Sequence, residues 1–84
     1  MGESSFFGAA IRKIRMELGL QQKAVARASN LSLRHYRRIE AGQSFLSLGS
    51  ALKVCEAMKI APSELFFEVA EEFLKHEQRE FGIF

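Results

Sequence analysis

The 84-residue sequence predicts an all-α domain of five helices, and three observations lead there. Apolar residues recur at helical spacing along the chain, no stretch alternates with period two for long enough to make a half-buried strand, and capping and stop residues break the pattern into five segments. The length suits one domain, expected over residues 1–84, because a domain usually takes about 100 to 200 residues. With 48% apolar and 26% charged residues the chain reads as a globule, not as a disordered segment. No run approaches the roughly 18 apolar residues of a membrane span, so no membrane partner is expected. One cysteine, Cys55, excludes an internal disulfide, and with only His35 and His76 it cannot supply a zinc site at standard spacing. No metal and no cofactor is expected, and packing alone must hold the fold. A domain this small is marginal by itself, so association is a natural way to complete its core.

The elements follow in order. Ser4 or Ser5 is expected to cap a first helix whose inner face carries Phe7, Ala10, Ile11, Ile14 and Leu18, with Gly19 as the left-handed stop. A short second helix runs from about Gln22 to Ala28 and ends at Ser29 and Asn30, where asparagine tolerates the left-handed conformation of a sharp turn. Ser32 caps a third helix through Glu40 or Ala41, with Tyr36 and Ile39 inward and Gly42 at its stop. Ser47 caps a fourth, whose expected stripe is Leu48, Ala51, Leu52, Cys55 and Met58. Pro62 opens a fifth, because its fixed φ suits the first helical position. Glu64 near the start of that helix, with Lys75, His76 and Arg79 towards its end, complements its dipole.

The second and third helices carry the functional signal. Two short helices joined by a tight turn over residues 22–41 have the layout of a helix-turn-helix, whose second helix enters the major groove of DNA. Ala26 is small where the helices cross, Val25, Leu31, Tyr36 and Ile39 supply apolar packing, and Asn30 supplies the turn. The outward face of the third helix then presents Leu33, Arg34, Arg37 and Arg38, expected to meet bases, and guanidinium suits guanine edges and phosphates alike. Arg34 is the foremost base reader, since early positions of a recognition helix reach deepest. Leu33 either touches a thymine methyl or shields the turn. His35 reads as a phosphate neighbour or a surface residue. Tyr36 reads as a core residue in preference to one whose hydroxyl reaches a phosphate, and Cys55 as a small buried residue in preference to a redox switch.

These residues resemble the XRE or Cro-like DNA-binding domain of phage repressors and bacterial regulators. The resemblance rests on Gly8, Ile11, Arg12, Arg15, Leu18, Gly19, Leu20, Gln22, Ala26, Ile39, Glu40, Gly42, Ser47, Leu48 and the stretch from Ile60 to Leu65, and it covers residues 7–67. It implies a five-helix Cro/phage-repressor-like fold, a DNA-backbone contact from Gln22 that sometimes also bridges to a base-reading side chain, and a structural salt bridge between Arg15 and Glu40. Lys23, His35, Gln43 and Ser44 are the further backbone contacts expected. The Ser29-Asn30-Leu31 turn, and Leu65-Phe66-Phe67 followed by a helical tail, carry a narrower resemblance to the controller proteins of restriction-modification systems, which extend helix five into a dimer interface. The chain departs from them at Leu33, His35, Ser44 and Phe45, so their operator does not transfer. Ser29 stands where the family is usually apolar, and Lys59 at a stop that is usually glycine.

Charge and the C-terminal stretch complete the reading. Residues 1–42 carry eight bases against three acids, and residues 43–84 four bases against seven acids, as though one end faces a polyanion and the other does not. Leu65, Phe66, Val69, Ala70, Phe73 and Leu74 form a stripe wider than a five-helix monomer covers, with Phe67 beside it. Phe66, Phe67, Val69, Ala70, Phe73 and Leu74 are therefore the expected homodimer interface, within a C-terminal helix and tail over 62–84. The apolar tail from Phe81 to Phe84 either docks across the dimer or meets another protein, such as polymerase or a toxin.

The expected function is a sequence-specific transcriptional regulator that binds double-stranded DNA at a palindromic operator as a homodimer, controlled by its own concentration for want of a sensor domain. An antitoxin that also binds a toxin, and an interaction module without DNA binding, are the rivals. No nucleophile and base, and no phosphate loop, can be assembled, so no enzyme is expected. No positive stretch leads into a long apolar segment at the N-terminus, so a bacterial cytoplasmic, nucleoid-associated protein is expected.

Overall fold

A computed structural model describes residues 2–81, apart from the side chains of Ser4 and of residues 78–81. The expectations for the tail beyond residue 81, and for the side chain of Arg79, lie outside it. Five helices follow one another: α1 Glu3–Glu17, α2 Gln22–Ala28, α3 Leu33–Glu40, α4 Leu48–Met58 and α5 Pro62–Phe81. No strand occurs among the described residues.

The first four helices end in one way. A residue in the left-handed region, Gly19 (φ 70°), Asn30 (φ 59°), Gly42 (φ 76°) or Lys59 (φ 57°), turns the chain. The next residue's amide then donates to the carbonyl five positions back: Leu20 to Arg15 (3.1 Å), Leu31 to Ala26 (2.9 Å), Gln43 to Arg38 (2.9 Å) and Ile60 to Cys55 (3.0 Å). This Schellman closure satisfies carbonyls that a helix end leaves orphaned. Leu20, Leu31 and Ile60 meanwhile fold back against the core.

The starts of the helices are more varied. Ser32 and Ser47 cap α3 and α4, their hydroxyls accepting from the amides of His35 and Ser50, each at 3.1 Å. At α5, Glu64 reaches back to accept from the Ala61 amide at 3.2 Å. The first helix differs from expectation, because neither Ser4 nor Ser5 caps it. It starts earlier, with Gly2 at the cap position and the Gly2 carbonyl accepting from Ser5 at 3.0 Å. Glu3 then stands in the first turn, where a carboxylate favours the helix dipole.

The core joins all five helices: Ala10, Ile11 and Ile14 from α1, Val25 and Ala26 from α2, Tyr36 and Ile39 from α3, Val54, Cys55 and Met58 from α4, and Leu65 from α5. Gly8 is what lets α1 lie against the end of α3. A Cβ at that position would stand 2.3 Å from the Ile39 carbonyl oxygen and 2.8 Å from that of Glu40.

Two stripes are rotated from expectation. Leu48 and Leu52 are exposed and Val54 is buried, because α4 turns its Val54 flank, not its Leu48 flank, to its neighbours. Leu18 is also exposed, being the residue at which α1 already gives way to its turn, whereas Phe6 is buried one position before the half-buried Phe7. Burial pushes the Cys55 thiol above its ordinary value, which keeps it a packing residue. The 20 residues of α5 make a rod of about 30 Å, and the molecule is long, 41 × 23 × 22 Å.

Candidate nucleic-acid interface

The α2–turn–α3 unit is held by a polar relay beneath its surface. Arg15 on α1 grips Glu40 at the end of α3 with two hydrogen bonds, Nε to Oε2 at 2.6 Å and Nη2 to Oε1 at 3.0 Å. Its remaining arm, Nη1, donates to the Leu20 carbonyl at 2.8 Å. The Glu40 side chain is 3% exposed and that of Arg15 12%, so the carboxylate is buried and the guanidinium largely so. Burial works to raise the Glu40 carboxyl, but hydrogen bonds from Arg15 and Gln22 contribute to an opposing pull that holds it below the ordinary carboxylate range. The Arg15 guanidinium is correspondingly raised, chiefly by its bond to Glu40. Tyr36 lies fully buried close by. Its hydroxyl feels the carboxylate without a hydrogen bond of good geometry, and burial first, then Glu40, pushes it well above its ordinary value.

Outward from this anchor the relay continues to the surface. Gln22, the first residue of α2, donates from Nε2 to Glu40 Oε1 at 3.0 Å, and its own Oε1 accepts from Arg37 Nε at 3.4 Å. Arg34, Arg37 and Arg38 are all exposed on α3. Arg34, His35 and Arg38 share one shallow concavity with Ser32 and with Ser44 from the loop after α3.

The side chains expected at the site thus fall into groups. Leu33 is half-buried against the edge of the core and lines a second concavity with Lys23, Arg27 and Leu31. Gln43 is exposed on the loop after α3 but lines neither hollow. Arg27 is an addition to the expected set, standing beside Lys23, and the i, i+4 spacing of the two cations on α2 is the signal for it. Phe45 is a further addition, 79% exposed next to Ser44.

A family model described as helix-turn-helix, HTH_3, matches residues 11–65. The chain belongs to this family. Helix-turn-helix proteins of this kind are DNA-binding transcriptional regulators, and so is this chain. Its structure is similar to that of the clp gene regulator ClgR from Corynebacterium glutamicum, at 25% identity over 84% of this chain and 92% of that one, with a TM-score of 0.81. It is similar too to the restriction-modification controller protein C.AhdI from Aeromonas hydrophila, at 34% identity over 77% and 98%, with a TM-score of 0.72. The wild-type controller protein C.Esp1396I superposes with a TM-score of 0.83, at 28% identity over 90% and 99%. No curated protein sequence matches significantly. No described helix of this helix-turn-helix protein is long and apolar enough to cross a membrane.

The second surface lies on α5. Val69 turns to the core, while Phe66, Phe67, Ala70, Phe73 and Leu74 are exposed. Part of this stripe packs within the chain: Phe73 meets the buried Phe6 edge-on at 5.6 Å, and Phe66 meets Phe7 edge-on at 5.9 Å. A salt bridge from Lys13 to Glu68, 3.0 Å, ties α1 to α5 beside them. Phe67, 63% exposed, and Leu74, 50% exposed, remain turned to solvent.

Proposed function

We propose that the protein is a homodimeric regulator of a palindromic operator, with Arg34 as the principal base reader. Arg38 and Leu33 flank it, and Gln22, Lys23, His35, Gln43 and Ser44 meet the DNA backbone. The observation that carries this reading is the display of Arg34 and Arg38 on an exposed helix face, where neither makes an ion pair among the described residues. Cations left unpaired on one face suit a polyanion, and a bidentate arginine contact to guanine discriminates by about 1–3 kcal/mol. The apolar stripe of α5 supports self-association through a two-fold axis. Such a dimer sets two recognition helices about 34 Å apart, one turn of the duplex. The likeness to C.AhdI and C.Esp1396I favours a controller-like autoregulator that occludes or recruits polymerase according to its own concentration.

Selection of bound duplexes from a random library at near-physiological salt, with sedimentation of the free protein, tests this. An enriched palindrome with half-sites about ten base pairs apart, together with a dimer, is expected. Only salt-sensitive background binding would overturn the operator reading, and a monomer that stays monomeric on DNA would overturn the dimer. Co-purification with a partner seated on α5 would turn the reading towards an antitoxin.

A further inference from the structure

We propose that the arginines of α3 divide their labour, Arg37 clamping a DNA phosphate under the control of Gln22 while Arg34 and Arg38 serve the groove. This rests on the DNA-binding reading above and assigns Arg37 away from the bases.

The geometry of the relay argues for it. A buried carboxylate can only accept hydrogen bonds, so the side of the Gln22 amide that faces Glu40 must be its NH2 group. Glu40 cannot turn away, because both of its oxygens are engaged by Arg15. The carbonyl of Gln22 therefore points outward, and it is this oxygen that takes the Nε–H of Arg37. Arg37 is thereby held at the start of α2, with both Nη groups free of any partner among the described residues. Its position on α3 agrees. Successive helical residues turn by about 100°, so Arg37 stands on the flank of α3 that faces α2, away from the hollow shared by Arg34, His35 and Arg38.

In a docked helix-turn-helix the recognition helix fills the groove and the preceding helix crosses the sugar-phosphate backbone. A guanidinium tied to the first residue of α2 consequently meets the wall of the groove. Two free Nη groups on a planar fork match two phosphate oxygens. Gln22 acts here as a positioning residue, and the buried Arg15–Glu40 pair sets its orientation.

The test compares wild-type, Arg34→Ala, Arg37→Ala, Gln22→Ala and the Gln22→Ala/Arg37→Ala pair. Binding is measured over a range of salt on the selected operator, its single-base variants and an unrelated duplex, with thermal melting to confirm folding. Arg37→Ala is expected to weaken operator and unrelated duplex by the same factor, about tenfold, and to lower the salt slope by about 0.9, as for one lost phosphate contact. Arg34→Ala should instead relax preference at one base position. Gln22→Ala should remove part of the Arg37 contribution, so that the pair loses less than the sum of the single losses. A loss of discrimination at one base pair in Arg37→Ala, or no change in slope, would overturn the phosphate role, and additive losses would overturn the positioning role. If wild-type fails to discriminate the operator, the operator reading fails, while the slope on the unrelated duplex still decides the role of Arg37.

Discussion

The α2–α3 end and the α5 end of this molecule solve the small-domain problem in opposite ways. At the first end a buried ion pair is tied by hydrogen bonds into α1, α2 and α3, and every large apolar side chain of α2 and α3 is at least partly covered. The surface left over is cationic. At the second end α1 and α5 meet through edge-on aromatic pairs and one half-exposed salt bridge, and large apolar side chains stay in solvent. A rigid polar end suits a ligand read by geometry, because fixed donors lose little freedom on binding. An apolar end suits a partner recognised by burial, which is non-directional.

The largest effect that would break this contrast is on assembly. Phe67→Glu, at the most exposed large apolar side chain described on α5, is expected to give folded monomers in sedimentation with an unchanged helical signal, and a persistent dimer would place the interface elsewhere. Leu74→Glu should do the same. Phe73 is a poorer probe, because its contact with Phe6 makes a charge there a folding defect as well.

At the polar end, Glu40→Ala strands the Arg15 guanidinium and is expected to cost about 3–5 kcal/mol in denaturant unfolding. The same carboxylate predicts an acid limb. A carboxyl held below its ordinary value of 4.5 contributes stability that is present above that value and lost as pH falls through the lower folded one. Melting should therefore drop on acidification below about pH 4.5 more in wild-type than in Glu40→Gln. Equal slopes for the two proteins would remove Glu40 as the cause.

Gly8→Ala drives a methyl group into two backbone carbonyls and should cost about 3 kcal/mol, lowering the melting temperature without altering the DNA contacts themselves. The smallest change is a gain. Lys59 sits at φ 57°, where a side chain is strained, so Lys59→Gly is expected to stabilise by about 1 kcal/mol. No gain would mean that the lysine makes up the strain through its surroundings.

Most of the fold was legible in local chemistry. Asn30, Gly19 and Gly42 mark turns whatever surrounds them, because the left-handed region is open to few residues. Ser32 and Ser47 likewise announce the helices that follow. The misplaced cap of α1 has a similarly local cause, since Gly2 and Glu3 start the helix before either serine can. The site was legible in part. The outward arginines of α3 could be named from spacing, but not which of them shares a hollow with Ser44 and which is drawn to Gln22.

Local chemistry therefore accounts for the order of the helices, the stops of the first four, the basic face and the apolar excess of α5. Each of these depends on residues within a turn or two of one another, where backbone sterics and helical periodicity decide. Packing between the elements settles which flank of α4 is buried, how α1 approaches α3 over Gly8, and how Glu40 faces Gln22 and Gln22 in turn Arg37. Those outcomes depend on contacts between segments 15 to 32 residues apart. Helical spacing says which side chains share a face but not what that face will meet.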